Sequence, residues 1–596
     1  MDARKYDNGV GPRKVGVGVR KRGVTVLVKV IVTVGRRVEV CWKTNGAALF
    51  DDVYFGIDSS KPAEADLAEK ADSTNEHKLP LRAEATIDAG KVIREIPRTL
   101  YGTNIEWIFD GYGLWDAAHG ALNPRLVELT RALNVSLIRF PGGVFADFYR
   151  WRDGVGPATK RGLSPHMPGG PKSRNTFGTD EALSFAEQAG GHVLITVNAG
   201  TGTPEEAAAW VRYVNVERAR DPTVAPVTYW EVGNELYGRG GAAQHVTITP
   251  QTYRDRFLRF AEAMRAVDSD IKIGAIGLEN FGRYQMNGYP DWNRVVLAGA
   301  GRQIDFLAIH NAYAPMVFDD QGYDVRSVYA AMLAAPLLIA ENLEVVSRQI
   351  EELVPQRASQ IGIAVTEWGP WFDADPSSRF IDHVKTVGSA LFVASTLKVF
   401  IESPRTQIAN AFKLVDNAFM GWIGLRGGEY VPKAPYYALQ LYTQHFGDSL
   451  VSAVTKGPTY DSAALGVVDA VRGVPYLEIV ASLGQRERTL YLMAINKHFD
   501  RSITTTVQIQ GFKPAPQARL WVLAGTGIDA NTGTELPRIP GLSWARQAVD
   551  QINPRFQRGR PDEVFIETAR FTGVAASFEY TFPAHSVTAM EIERAE

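Results

Sequence analysis

Residues 227–235 read VTYWEVGNE and residues 361–368 read IGIAVTEW. Each is a short β-branched and aromatic run, and each carries a glutamate at its far end, Glu235 in the first and Glu367 in the second. Runs of this composition form strands. A strand that ends on a carboxylate is what the mouth of a (β/α)₈ barrel requires, because such barrels carry their reactive groups at the C-terminal ends of parallel strands. Working outward from these two, strands are expected at 100–107, 136–142, 192–199, 228–235, 272–278, 305–313, 362–368 and 407–414. Amphipathic helical stretches at 124–133, 181–189, 205–215 and 252–267 alternate with them. Eight strand–helix units are the size of one (β/α)₈ barrel.

The flanks read differently. After Tyr436 the helical period stops, and runs such as YLEIVASLG, TLYLMAINK, TTTVQIQGF and ARLWVLAG indicate a C-terminal β-sandwich. The segment AEATIDAGKVI ahead of the barrel is expected to add a strand to it. Residues 59–78, charged, rich in Ala and Ser and free of aromatics, read as a linker. The first thirty-odd residues are almost wholly Gly, Val, Lys and Arg, with 23–34 reading as a strand and 37–58 as two strands joined by a turn at Asn45-Gly46. The stretch ALFDDVYF resembles the last strand of a jelly-roll carbohydrate-binding module, which implies a truncated remnant. The expected domains are therefore 1–58, a leader and module remnant; 59–80, the linker; 81–98, a strand joining the sandwich; 99–432, the catalytic barrel; and 433–596, the sandwich.

Composition removes several function classes. With 64 Lys and Arg against 66 Asp and Glu, the net charge of −2 recruits neither nucleic acid nor an anionic membrane surface. The single cysteine, Cys41, excludes an internal disulfide and a Cys-based zinc site. No apolar run reaches the roughly 18 residues of a membrane-spanning helix, and 23–34 carries Lys29 at its centre and has no small-residue cleavage site after it. Nothing in the residues calls for a cofactor or metal, and the GTGT at 200–203 lacks the Lys and the spacing of a phosphate loop. Localisation is left open: a polysaccharide substrate calls for export, and no signal peptide is recognisable.

Hydrolysing an acetal without a metal needs one carboxylic acid to protonate the leaving oxygen and one carboxylate to attack the anomeric carbon. Glu235 and Glu367, on strands four and seven, suit that pairing, and Asn234 beside Glu235 can hydrogen-bond the neighbouring sugar hydroxyl. YWEVGNELYG and VTEWG resemble clan A of the glycoside hydrolases. Together with YGTNIEW, RFPGGVFADFYRWRDGVGP, NTFGTDEAL, VNAGTGTPEEAAAWVRYVN, IHNAY and YYALQLYTQHFG, they resemble glycoside hydrolase family 51, from about residue 85 to the C-terminus. That family holds α-L-arabinofuranosidases and endo-β-1,4-glucanases. The resemblance implies a retaining mechanism with Glu235 as acid/base, Glu367 as nucleophile and Asn234, Glu106 and Arg139 at the sugar, with His310 and Tyr313 below it. It also implies a homo-oligomer. Trp107 and Trp151 are candidate stacking platforms, while Gly142 and Gly143 are expected to let the loop turn sharply beneath the site.

The chain departs from the arabinofuranosidase pattern at four places: Val144 and Lys413 stand where amides are usual, Trp107 where His is usual and Gly369 where Asn is usual. Lost hydroxyl partners weaken recognition of a furanose, and aromatic walls suit a groove lined by Trp107, Trp115 and Trp371. The favoured expectation is therefore an endo-β-1,4-glucanase acting on plant cell-wall polysaccharide or its oligosaccharides. The alternative is an α-L-arabinofuranosidase, and the remote one a sugar-binding protein without catalysis. Lys413 is carried as a substrate contact.

Overall fold

The computed structural model describes residues 81–596, apart from 222–223, 240, 279–288, 318–321, 374–377, 379, 417–419 and 535–559, together with four short strands ahead of residue 60. Two units separate, residues 1–79 and 80–596. In the first, Leu27–Val32 pairs with Val38–Lys43 and Val15–Gly18 with Tyr54–Ile57, all antiparallel. The two strands expected within 37–58 are thus present but pair with earlier segments, not with one another across Asn45-Gly46. The expected linker lies outside the described residues.

The second unit contains a closed barrel of eight parallel strands: β1 (Gly102–Asn104), β2 (Leu137–Phe140), β3 (His192–Val197), β4 (Tyr229–Val232), β5 (Lys272–Ile276), β6 (Phe306–Ile309), β7 (Gly362–Trp371) and β8 (Thr406–Ala411). Strand β8 returns to β1 and closes the ring. The expected strand at 305–313 breaks at His310 and Asn311: its second half, Ala312–Pro315, pairs only with the upper end of β7. The helices begin where local chemistry starts them. Pro124–Leu133, for example, has Pro at its first position, Asn123 accepting from the Arg125 and Leu126 amides, and Asn134 closing it in the left-handed conformation.

Side chains two apart on a strand share a face, and this builds the barrel interior in layers. Leu137, Leu194, Phe306, Ala364 and Ile408 form an apolar floor. Two residues further along the same strands stand Arg139, Thr196, Ala308, Thr366 and Asn410, joined by Asn104 and Glu231, all buried. Six of the eight strands therefore present a polar group one layer below the mouth, where a catalytic centre needs support.

Helix Ala434–Gln444 packs on the barrel, its Tyr436 hydroxyl donating to the Leu129 carbonyl, so the barrel unit continues past residue 432. Beyond it, nine strands form one mostly antiparallel sheet around a second core that includes Ile87, Leu492, Val507, Leu520, Phe582 and Met590. Leu81–Glu95 lies within that sheet, antiparallel to Ser449–Lys456 and parallel to Ile503–Gln510. Helix Val325–Leu353 is long and apolar enough, by length and composition, to cross a bilayer. Its apolar face, from Val328 to Ile350, is buried in this fold.

Candidate active site

At the mouth of the barrel, β4 ends at Val232 and the chain turns through Gly233 (φ +82°) and Asn234 to Glu235, itself at φ +42°. A non-glycine residue in the left-handed region costs of order 1 kcal/mol or more and persists where its surroundings hold it. Here the holder is Asp147, a residue with no signal in the sequence reading: its carboxylate accepts from the Asn234, Ala199 and Gly200 amides at 2.8, 3.0 and 2.8 Å. Burial pushes the Asp147 carboxyl up to about 7 against the pull of these three donors.

Glu367, midway along β7, is gripped from two sides: Arg139 Nη1 donates to its Oε1 at 2.8 Å and the Tyr313 hydroxyl to its Oε2 at 2.8 Å. Tyr313 stays a neutral donor, since burial and the neighbouring Glu367 charge push its pKa well up. Arg139 is wholly enclosed and spreads its fork over four acceptors: Glu231 (2.7 Å), Glu367, Asn104 Oδ1 (3.1 Å) and Asn234 Oδ1 (2.7 Å). Burial alone would discharge the guanidinium, but the Glu231 and Glu367 carboxylates more than compensate and hold it charged. With Oδ1 taken by Arg139, the Asn234 amide nitrogen is buried and has no partner among the described residues.

His310 links the two glutamates. Its Nδ1 lies 2.7 Å from Glu235 Oε1 and 3.8 Å from Glu367 Oε2, and its Nε2 lies 3.1 Å from Thr366 Oγ1. The Thr366 hydroxyl spends its only hydrogen on Glu231 Oε1 at 2.8 Å, so it can only accept from His310, and Nε2 carries a hydrogen. Nδ1 and Glu235 Oε1 then share a single proton. Burial works against the imidazolium, yet the Glu367 and Glu235 carboxylates outweigh it and raise the His310 pKa. One carboxylate oxygen from each of Glu235 and Glu367 and one ring nitrogen of His310 lie within 4.8 Å of one another, close enough for one carboxylate to attack while the other handles a proton.

The pocket above these groups has a volume of about 260 Å³. Glu106, Val144, Glu235, His310, Tyr313, Glu367 and Lys413 all face it. Arg139 and Asn234 lie in the layer beneath. Gly143, at φ +62°, passes so close that a Cβ there would sit 2.7 Å from Glu106 Oε1, so the sharp turn and the close approach both demand glycine. The Lys413 ammonium bonds to Glu106 Oε2 and lies 4.1 Å over the Tyr112 ring. Glu106 and its neighbours keep that ammonium charged despite complete burial. Lys413 thus first serves a protein carboxylate.

The structure does not bring the tryptophan platforms to the pocket. Trp107 is fully buried against Tyr149 and His166. Trp151 stacks on Trp210 with its Nε1 donating to the Glu206 carbonyl. Trp115 sits on a two-residue hairpin strand away from the lining, and Trp371 alone of the four reaches it. Glu231, Thr196, Thr366, Asn104 and Asp147 are not singled out by the sequence. For Thr196 and Thr366 the signal is positional, a polar residue interrupting an apolar strand two residues above buried Leu194 and Ala364; Asp147, in the short helical turn Val144–Phe148, carries none.

Comparison with known proteins adds a name to this geometry. Residues 129–296 match the profile described as "Alpha-L-arabinofuranosidase 1 domain" and residues 366–557 that of "Alpha-L-arabinofuranosidase C-terminal domain". The chain is 25% identical over 493 residues to α-L-arabinofuranosidase C of Emericella nidulans, covering 78% of this chain and 86% of that protein. The arabinose complex of an α-L-arabinofuranosidase from Thermotoga maritima superposes with a TM-score of 0.70 at 23% identity, over 86% of this chain and 100% of that one. This chain is a glycoside hydrolase that resembles family 51. CelM2, a bifunctional glucanase-xylanase from a metagenome library, shares the fold less closely, with a TM-score of 0.57 at 14% identity over 86% and 99% of the two chains.

Proposed function

We propose that this glycoside hydrolase is a retaining α-L-arabinofuranosidase that removes single terminal arabinofuranosyl units. The observation that carries the reading is the shape of the site: a pocket of about 260 Å³ over the carboxylate pair, in which Trp371 is the one tryptophan among the described lining residues, where a chain-binding groove would need a row of them. The profiles and curated relatives favour the same activity over the endo-glucanase that Val144, Lys413, Trp107 and Gly369 suggested.

In this reading Glu367, bound by Arg139 and Tyr313, attacks the anomeric carbon while the bond to the leaving oxygen breaks and Glu235 delivers the proton it shares with His310 to that oxygen. A covalent arabinosyl ester of Glu367 results. Water then gives a proton to Glu235, attacks the same carbon and releases Glu367 and arabinose with the original configuration. The free Asn234 amide is placed to hydrogen-bond the hydroxyl beside the reacting carbon.

The test is hydrolysis of 4-nitrophenyl α-L-arabinofuranoside, carboxymethyl-cellulose and xyloglucan side by side, with Glu367→Gln as blank. Arabinofuranoside cleavage with kcat at least about 10⁴-fold above the blank is expected, as for loss of a nucleophile that acts in concert with its partners. Falling viscosity of the polymers without nitrophenol release would return the site to the endo-glucanase reading.

A further inference from the structure

The polar groups of the pocket are concentrated at its base, and each is already engaged by protein. Glu367 is bound by Arg139 and Tyr313, Glu235 by His310 and Glu106 by Lys413. The remaining described wall is mostly different in kind: Phe145, Met316, Trp371, Phe412, Met420 and Val467 present hydrocarbon, ring faces and thioethers, and Tyr237 adds a single phenol. Trp371 Nε1, which could donate to a ligand, is spent on the Asp373 carbonyl at 3.0 Å. Part of this wall comes from the C-terminal sheet domain. Its loop at Leu465–Val468 is pinned to the barrel by Val467 N donating to the Pro315 carbonyl at 3.0 Å, and Gly466, at φ +59°, packs so tightly on Pro315 that a Cβ would sit 2.1 Å from the carbonyl oxygen. The apolar wall is therefore fixed in place by a second domain.

A sugar in the leaving-group position carries several hydroxyls, and each one buried against such a wall without a partner costs free energy comparable to a lost hydrogen bond. A hydrophobic alcohol carries only the glycosidic oxygen, which Glu235 serves. Two methionines in one wall add adaptability, because unbranched thioethers repack around irregular apolar shapes. We infer that the leaving-group side of this pocket is a binding site for a hydrophobic aglycone, an aromatic or terpenoid-like alcohol, rather than for a further sugar of a polymer. The inference rests on the arabinofuranosidase reading above and specifies its substrate class.

The experiment compares kcat/KM for methyl and n-octyl α-L-arabinofuranoside, the latter below its micelle concentration, and for the α-1,5-linked disaccharide of arabinose. The two alkyl alcohols leave with nearly equal basicity, so their ratio reports contact with the wall and not leaving-group chemistry. At least a tenfold preference for the octyl glycoside is expected, with Met420→Gln, a substitution of similar length and shape, bringing the ratio down toward one. A ratio near one in the unaltered protein, or a higher kcat/KM for the disaccharide than for the octyl glycoside, overturns the aglycone site while leaving the arabinofuranosidase reading intact. Failure to cleave any of the three overturns both.

Discussion

Replacing Lys413 by Met tests how the floor of the pocket is held together. Glu106 and Lys413 are both buried, at 2% and 5% exposure, and bond directly to one another. Met keeps the length and apolar stem of the lysine and removes the charge, leaving the Glu106 carboxylate in the barrel mouth with only the like charges of Glu367 and Asp416 acting on it. Breaking a buried pair from one side costs about 3 to 5 kcal/mol, because the remaining charge is uncompensated. The carboxyl can escape by taking up a proton. Burial is the largest influence on Glu106 and raises its pKa, and without the lysine that rise goes unopposed. A raised folded pKa means that the folded state binds the proton more tightly than the unfolded one, so stability falls as pH rises, by about 1.4 kcal/mol per unit between the two pKa values. The expected result is a urea midpoint close to the unaltered protein near pH 4.5, and a loss of about 3 kcal/mol at pH 8. Glu106→Gln in the Lys413→Met background should restore most of the loss at pH 8, since it removes the orphaned charge. A loss below about 1 kcal/mol that does not change with pH would refute the argument, showing that water reaches and satisfies the carboxylate.

Three further outcomes follow from the geometry. Tyr313→Phe removes the 2.8 Å donor to Glu367 and is expected to lower kcat about 100-fold with little change in KM, read on an aryl arabinofuranoside. His310→Asn removes the 2.7 Å partner of Glu235 Oε1 and is expected to lower kcat on an aryl arabinofuranoside about 100-fold; an unchanged kcat would deny His310 a part in handling the proton. His166 is 2% exposed, wedged between Trp107, Phe109 and Phe145, and burial lowers its pKa from 6.5 to about 4. Its neutral form is the one the fold accepts, so its stabilising contribution is complete above pH 6.5 and roughly 3 kcal/mol is lost as pH falls through 4; His166→Phe should flatten that part of the urea midpoint–pH curve.

Much of this architecture is legible in the sequence because it is encoded locally. The β-branched run IGIAVTEW becomes β7 and VTYWEV becomes β4, each bounded by signals within a few residues, and Asn123-Pro124 starts a helix just where the capping chemistry says it should. Where the outcome depends on partners far along the chain, local signals mislead. Asn45-Gly46 is a good hairpin turn, yet Val38–Lys43 pairs backward with Leu27–Val32. The run from 305 to 313 looks continuous, but His310 must turn toward Glu235 and Thr366, and the strand breaks there.

The same distinction explains why the carboxylate pair can be read and the pocket walls cannot. Glu235 and Glu367 stand out because each ends an apolar run and Asn234 directly precedes the first. Trp107 and Trp151 do not, because an indole serves a core as well as it serves a sugar, and only the positions of Tyr149 for the first and of Trp210 and Glu206 for the second, 42 to 59 residues away, decide which (149 − 107 and 210 − 151). Lys413 is the instructive case between these two. In the sequence it is an amide replaced by a cation, and so looks like a change of substrate. In the structure its ammonium is bonded to Glu106 and stands over Tyr112, so the substitution first changes the electrostatics of the protein: it supplies the positive charge that lets a buried carboxylate remain ionised. An amide could hydrogen-bond that carboxylate but could not neutralise it. The replacement therefore engages on Glu106 and the Tyr112 ring the group that stands where the family's amide would, and whatever reads the substrate has to be another of the residues facing the pocket.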